Sequence, residues 1–183
     1  MQKIVWRYGG FAVLIVAVFF ISTWLMFSIT TPNFGNLAIL NWIGIVLCLV
    51  FVFVGILTYR NDMNYGELHF KEGLILGLLI TILPALAFGL LDALLVSYLY
   101  PSFFDKYYAW KAAQIQENHP ATEWAARLQS MNEKRKFFGT AYGQFIVMTL
   151  SVYITGAAVT ALSALVLKRK TGNKIRTAAH PAY

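Results

Sequence analysis

The segment 74-LILGLLITILPALAFGLLDALLVSYLY-100 is almost entirely apolar and carries a single charged side chain, that of Asp92. About 20 consecutive apolar residues in an α-helix are enough to cross the hydrocarbon core of a bilayer. Lipid offers no hydrogen bonds to the backbone, so an isolated strand is excluded there. The segment therefore predicts a transmembrane helix with one carboxylate inside it.

Three further segments show the same pattern. The predicted spans cover residues 8–29, 37–58, 74–100 and 138–167, and none of them contains Lys or Arg. The first is preceded by Lys3 and Arg7, but its apolar run is too long for a signal-peptide core and no small-residue cleavage site follows it. We therefore predict an all-α polytopic membrane protein: a four-transmembrane-helix bundle that forms one domain over residues 1–183.

The composition supports a lipid environment. Hydrophobic residues make up 58% of the chain, charged residues 13%, and the mean hydropathy is +0.60, whereas about 25% of a typical soluble domain is charged. The net charge of +7 comes mainly from Lys and Arg at the ends of apolar runs, which is typical of membrane-flanking residues. The lipid bilayer is thus the expected partner, and nucleic acid is not.

The distribution of basic residues predicts the orientation. With four spans, the N-terminus, the second connection and the tail share one side, which carries nine Lys and Arg against six on the other side. The positive-inside rule then places both termini in the cytoplasm of a bacterial inner membrane, although 134-KRK-136 opposes this assignment. The basic tail, residues 168–183, has no periodicity and is expected to be disordered and to contact anionic lipid headgroups.

The third connection, residues 101–137, is too long for a turn and too polar to span the membrane. Pro120 divides it into two helical stretches, and Trp124, Leu128 and Met131 give the second stretch one apolar face. We predict a helical hairpin outside the membrane, on the outer face. The alternative is that its second helix continues into the fourth span as one rod.

Asp92 suggests a polar layer within the membrane. A carboxylate at this depth costs several kcal/mol unless it is paired, neutralised or in contact with water. Counting each span to the same depth predicts that five other polar residues accompany it: Gln144, its expected amide partner, with Tyr142, Asn41, Ser22 and Thr23. The layer is either a vestibule for a cation, proton or small solute, or an interhelical hydrogen-bond cluster, and the second reading is favoured.

The connection in 58-TYRNDMNYGELHFKEGLILG-77 is the second candidate site. Arg60, Asp62 and Glu67 would form a cytoplasmic docking or ligand loop. The favoured reading is a simple turn, because Asn, Asp and Gly supply turn chemistry.

This connection also resembles a known family. Its exit Tyr59-Arg60, the turn glycine Gly66 and 68-LHF-70 before a glycine-bearing span are similar to the small four-helix membrane proteins of Bacteroidota called domain of unknown function 4199. The runs 103-FFDKY-107 and 162-LSALVLKRK-170 resemble the same family. Tyr65 stands where the family usually has glycine, His69 replaces a serine, and Lys71 replaces a glycine. The resemblance implies an inner-membrane protein of unassigned activity.

The sequence offers little for catalysis. It lacks the motifs of metalloproteases, α/β-hydrolases and phosphate-binding loops, and its three histidines, His69, His119 and His180, lie in separate connections or the tail. Cys48 lies inside a span as a small hydrophobe. We therefore predict no catalytic, cofactor-binding or metal-binding residues.

The expected function is a non-enzymatic accessory or scaffold component. The alternative is a small transporter or channel subunit that uses Asp92. A homo-oligomer or an unidentified membrane protein is the expected protein partner. The repeat of Gly156, Thr160 and Ala164 favours close helix packing within the chain over homodimerisation.

Overall fold

The computed structural model describes residues 1–29 and 34–168, and these ranges are built from helices. Two π-helical turns, Tyr59–Met63 and Leu95–Leu99, continue α2 and α3. The six α-helices are α1 (Gln2–Ile29), α2 (Phe34–Thr58), α3 (Phe70–Leu94), α4 (Phe103–Asn118), α5 (Ala121–Phe138) and α6 (Ala141–Leu167).

Four of these helices are long and apolar enough to cross a membrane, which confirms the predicted fold class. The candidate spans are Gln2–Met26, Trp42–Met63, Phe70–Leu99 and Ala141–Leu167. Between 28% and 44% of each spanning window is buried, and many exposed side chains are large and apolar, such as Leu14, Val18 and Ile154. Exposed apolar surface on this scale is stable in lipid and not in water.

The span boundaries differ from the sequence prediction at both ends of the chain. α1 begins at Gln2 rather than residue 8, because the long side chains of Lys3 and Arg7 are compatible with a helix that enters the polar headgroup layer. α6 begins at Ala141 rather than residue 138, because Thr140 is its N-cap and accepts a hydrogen bond from the Gly143 N–H at 3.0 Å.

The third connection folds as two helices, α4 and α5, with the break at the predicted proline. Pro120 is the N-cap of α5, and it disfavours helical backbone at the preceding His119, which is extended with φ −132° and ψ 151°. The alternative of one rod through α5 and α6 is wrong. α5 ends at Phe138, where the N–H of the C-cap Gly139 donates to the Arg135 carbonyl at 2.8 Å, and Thr140 caps a new helix.

The small-residue stripe of α6 packs against α3 within the chain. A Cβ atom added at Gly73 would lie 3.1 Å from the Cβ of Ala164, and one added at Gly77 would overlap Thr160. A Cβ at Gly156 would overlap Thr81. We call these three contacts the α3–α6 seam; they confirm the intramolecular reading of the stripe, since small residues allow helix backbones to approach closely.

Tightly packed apolar side chains fill the middle of the bundle. Leu49, Val52, Ile80, Phe88 and Val152 are fully buried or nearly so. Cys48 is a free, buried thiol whose Sγ donates to the Ile45 carbonyl at 3.1 Å. We call this region the central core. Pro84 is also buried, within α3.

The two ends of the bundle are built differently. At one end the Tyr8 hydroxyl lies 2.8 Å from that of Thr58, and Arg60 donates to the carbonyl of Leu167 at 3.5 Å. The start of α1, the α2–α3 connection and the end of α6 therefore share this end, which we call the connection end. The helical hairpin of α4 and α5 covers the other, the hairpin end. Residues 169–183, and with them the predicted tail contacts, lie outside the described residues.

Candidate functional site: a vestibule beneath the helical hairpin

A cavity of about 860 Å³ lies between the bundle and the hairpin. Side chains from all six helices contribute to its lining. Its volume falls within the range of about 300–1,000 Å³ that is usual for small-molecule sites. We call this cavity the vestibule.

The floor of the vestibule is polar. Asp92 and Gln144 both line it, and the Gln144 side chain lies beside the Asp92 carboxylate. Gly89, one turn before Asp92 on α3, allows this close approach of α3 and α6: a Cβ there would be 2.7 Å from the Phe145 carbonyl oxygen, so α6 could not lie as close. The carboxylate on the third span and the amide on the fourth, predicted to be partners, are thus brought together at the floor.

One oxygen of Asp92 has no hydrogen-bond partner. Its Oδ2 atom is buried and accepts no hydrogen bond from any part of the chain that the structure describes. A buried, unpartnered polar atom is rare in proteins and calls for an explanation, such as a bound ligand or water. The carboxylate that carries this oxygen lines the vestibule, and its negative charge is the feature of the site that points to a ligand.

Thr23 also lies at the floor. It is 8% exposed and lines the vestibule, while its hydroxyl donates to the Phe19 carbonyl at 2.9 Å. The hydroxyl proton is therefore engaged within α1, and its oxygen can still accept a hydrogen bond.

Two residues expected in the polar layer face away from it. Tyr142 is 70% exposed, and Ser22 is exposed with its hydroxyl donating to the Val18 carbonyl at 2.9 Å. Neither lines the vestibule. Counting residues gives the depth of a side chain along its helix but not its direction around the axis, and consecutive residues differ in direction by about 100°. Asn41 lies in α2, and its side chain is outside what the structure describes.

Aromatic rings form the walls of the vestibule. Phe20 and Phe88 meet edge to face beneath the floor, with ring centroids 5.0 Å apart. Phe34, the first residue of α2, contacts Phe103, Tyr107 and Trp110 of α4 at centroid distances of 5.7 to 5.8 Å. The aromatic lining residues are Phe19, Phe20, Phe34, Phe103, Phe104, Tyr107, Tyr108 and Phe138.

The hairpin side of the vestibule is basic. Lys111, Arg127 and Lys134 line it and are exposed. Arg127 pairs with Glu123 at 2.7 Å, whereas the described residues place no carboxylate in an ion pair with Lys111 or Lys134. The sequence analysis missed this basic rim. The seven-residue spacing of Arg127 and Lys134, which puts both on one face of α5, is the signal that could have identified it.

The second candidate site is a closed turn. Arg60 donates to Asn61 and to the Leu167 carbonyl, and Asp62 is exposed. The Glu67 N–H donates to the Asn64 carbonyl at 2.8 Å, and the Asn64 side-chain amide donates to the Glu67 carbonyl. Arg60, Asp62 and Glu67 do not line the vestibule. Their contacts are those of the turn that the sequence favoured.

The histidines are apart from one another. His69 is the N-cap of α3, where its side chain and that of Glu72 form a capping box, and His119 lies at the tip of the hairpin and lines the vestibule. His180 is outside the described residues. Over the ranges that the structure covers, no group of three His, Cys, Asp or Glu residues could hold a metal ion.

The sequence profile of one family matches residues 7–169, and the family is described as "Protein of unknown function (DUF4199)". The matched range includes the hairpin and nearly all of the four spans. Neither a curated protein nor a solved structure matches the chain.

Proposed function

We propose that this chain, which belongs to the DUF4199 family of proteins of unknown function, is a non-enzymatic accessory membrane protein that binds a small organic cation. The vestibule is the binding site, and Asp92 is its anchor. The observation that carries the proposal is the carboxylate of Asp92, which lines the vestibule and whose buried Oδ2 atom lacks a hydrogen-bond partner within the described chain.

The free energy of a buried carboxylate favours a cationic ligand. An isolated carboxylate within a membrane span costs several kcal/mol unless it is paired or in contact with water. The amide of Gln144 lies beside Asp92, but an amide supplies no charge. An ammonium group in the vestibule beside the Asp92 carboxylate would supply both a positive charge and hydrogen-bond donors.

The aromatic walls support the same ligand class. Phe19, Phe20 and Phe104 line the vestibule together with Asp92. The faces of aromatic rings attract cations, and such contacts are stronger where water is excluded. The same rings accommodate an apolar substituent on the cation.

Binding is better supported than transport. The place of Asp92 inside a span favours a transporter or channel subunit as the second candidate. However, the central core separates Asp92 from the connection end, and Leu49, Ile80 and Phe88 are fully buried or nearly so within it. A packed core of this kind gives a solute no path through the monomer.

An enzymatic role has less support. Among the described residues that line the vestibule, Asp92 is the sole carboxylate, and Ser130 is not hydrogen-bonded to a general base. Nucleophilic catalysis needs such a pair within hydrogen-bonding reach.

We also propose a location for the protein. The excess of basic residues at the connection end favours a bacterial inner membrane with both termini in the cytoplasm, so the vestibule would face outward. The partners would be the bilayer, anionic headgroups at the basic tail, and either a second copy or another membrane protein.

The test is the binding of dodecylamine to the protein in phosphatidylcholine nanodiscs, measured by native mass spectrometry with empty nanodiscs as a blank. We expect saturable binding of one amine per chain. Asp92→Asn should weaken it by at least about tenfold, because loss of one partner of a buried charge pair costs several kcal/mol.

Asp62→Asn is the matched control, since it removes one carboxylate at the exposed connection end and should leave binding unchanged. Equal amine binding by wild type and Asp92→Asn would refute the proposal. Dodecanol, which has the same chain without the charge, should bind more weakly than dodecylamine.

Flux measurements distinguish a transporter or channel subunit from a protein that only binds the cation. Vesicles that contain the protein should show no amine-dependent or pH-driven flux above that of empty vesicles. Flux that Asp92→Asn abolishes would support the transporter instead.

A further inference from the structure

The charges of the vestibule point to a ligand with charges at both ends. We infer that the site takes a zwitterionic amphiphile, with a cationic group at Asp92, an acidic group at Lys111 and Lys134, and an apolar body between them. This inference rests on the proposed function and adds to it the acidic group and the separation of the two charges.

The charged lining residues are divided between the floor and the hairpin. Asp92 on α3 is the carboxylate of the floor, whereas Lys111, Arg127 and Lys134 are on α4 and α5. A simple amine would be attracted by the floor and repelled by the rim. A ligand that also carries an acidic group would gain from both.

Lys111 and Lys134 are the rim cations available to a ligand. Arg127 is already paired with Glu123, and Arg135 is paired with Asp105 and lies 5.3 Å from the centroid of the Tyr108 ring. The ammonium of Lys111 lies 5.6 Å from the centroid of the Tyr107 ring, a contact that leaves its hydrogen-bond donors free. Neither lysine has a carboxylate partner in the described part of the chain.

Apolar side chains lie between the two charged regions. Leu95, Val147 and Met148 line the vestibule on the bundle side, and Phe104 and Met131 line it on the hairpin side. Polar groups in the middle of a ligand would lose hydration there without gaining partners. The body of the ligand is therefore apolar.

The division of charges also excludes the common zwitterionic lipid headgroups as the natural fit. In phosphatidylethanolamine the ammonium and the phosphate are neighbours at the same end of the molecule. In the vestibule the negative and positive groups are on different walls, with apolar lining between them. An ω-amino acid with a long alkyl chain has the complementary layout.

The experiment compares ω-amino acids, from aminohexanoic to aminohexadecanoic acid, with the amine and the fatty acid of each length, in the same nanodiscs. We expect one chain length at which the amino acid binds at least about tenfold more tightly than the amine, which corresponds to one additional charge-assisted contact. Replacing phosphatidylcholine with phosphatidylethanolamine should not displace the bound amino acid.

The lysine variants locate the acidic group. Lys111→Gln combined with Lys134→Gln should reduce the affinity for the amino acid to that for the amine, and binding of the amine should be unchanged or tighter. Lys3→Gln combined with Lys71→Gln removes two exposed lysines at the connection end and should change neither affinity.

The outcomes separate this inference from the proposed function. If amines bind through Asp92 but no amino acid binds more tightly, the inference fails and the proposed function stands. If the fatty acid binds as tightly as the amino acid, and Asp92→Asn has no effect, the ligand is an anion and both fail. If phosphatidylethanolamine displaces the amino acid, the site binds a lipid headgroup and the inference is overturned.

Discussion

Tyr65 occupies a backbone conformation that suits glycine better than tyrosine. Its φ angle is 52°, and that of the following Gly66 is 82°. The left-handed region costs a residue with a Cβ about 1–2 kcal/mol. The positive φ angle is a physical reason why glycine, which the family resemblance leads us to expect here, would fit this position better than tyrosine.

Tyr65→Gly should therefore stabilise the protein. The tyrosine side chain is 98% exposed, so its removal loses little packing, and relief of strain should exceed the entropy cost of glycine by about 0.5–1 kcal/mol. The measurement is the midpoint of unfolding by sodium dodecyl sulfate in mixed micelles. Gly66→Ala, at φ 82°, should shift the midpoint in the opposite direction, and a lower midpoint for Tyr65→Gly would contradict the strain argument.

At the scale of single residues, the sequence predicted that Asp92, Gln144 and Thr23 lie in one polar layer, and the structure places all three at the vestibule floor. This was possible because an isolated charge in an apolar span is conspicuous and helix geometry fixes its depth. The same prediction misplaced Ser22 and Tyr142, because the direction of a side chain around its helix depends on which neighbours pack against that helix. A single sequence carries little information about those neighbours when, as in this chain, the helices are apolar on all sides.

At the scale of helices, the α3–α6 seam sets how closely two spans approach. Gly77→Ala should destabilise the bundle by about 1–3 kcal/mol, the usual cost of overpacking, because the new Cβ would overlap Thr160 and lie 2.9 Å from the Cδ1 of Ile56. The unfolding midpoint in mixed micelles measures this change.

Gly10→Ala is the matched control for the seam. A Cβ at Gly10 would meet nothing within 4 Å, so alanine should be neutral or stabilise α1 by up to about 1 kcal/mol through its better helix propensity. Equal effects of the two substitutions would show that the seam does not limit the approach of α3 and α6.

Most of the helices were predictable, because their signals are local. Long apolar runs identify the spans, and Pro120 divides the hairpin. The sequence did not decide whether α5 and α6 are separate helices. The break depends on the capping of α6 by Thr140, a local interaction of a few residues that competes with continuation of the helix.

At the scale of the whole molecule, aromatic contacts attach the hairpin to the bundle. Phe34 meets three rings of α4, and such pairs contribute about 0.5–1.5 kcal/mol each. The Arg135–Asp105 ion pair joins α5 to α4, but both side chains are exposed, so it contributes at most about 1 kcal/mol.

Phe34→Ala should therefore loosen the hairpin more than Asp105→Asn. We expect faster amide hydrogen exchange in α4 for the phenylalanine variant and nearly unchanged exchange for the aspartate variant, while exchange in α3 and α6 stays slow in both. The reverse order would mean that the ion pair holds the hairpin. The sequence could not predict the vestibule itself, because it exists only where Phe34 and α4, about 70 residues apart in the chain, come together.

The α3–α6 seam has a consequence for biosynthesis. α3 is translated and inserted into the membrane well before α6, so the glycine face of α3 has no partner until α6 has been inserted. A nascent chain that stops before α6 would expose that face to the surrounding lipid and to other nascent proteins. Such a truncated product should be a preferred target of membrane proteases, and its cellular half-life, compared with that of the full chain, measures how much the final helix completes the fold.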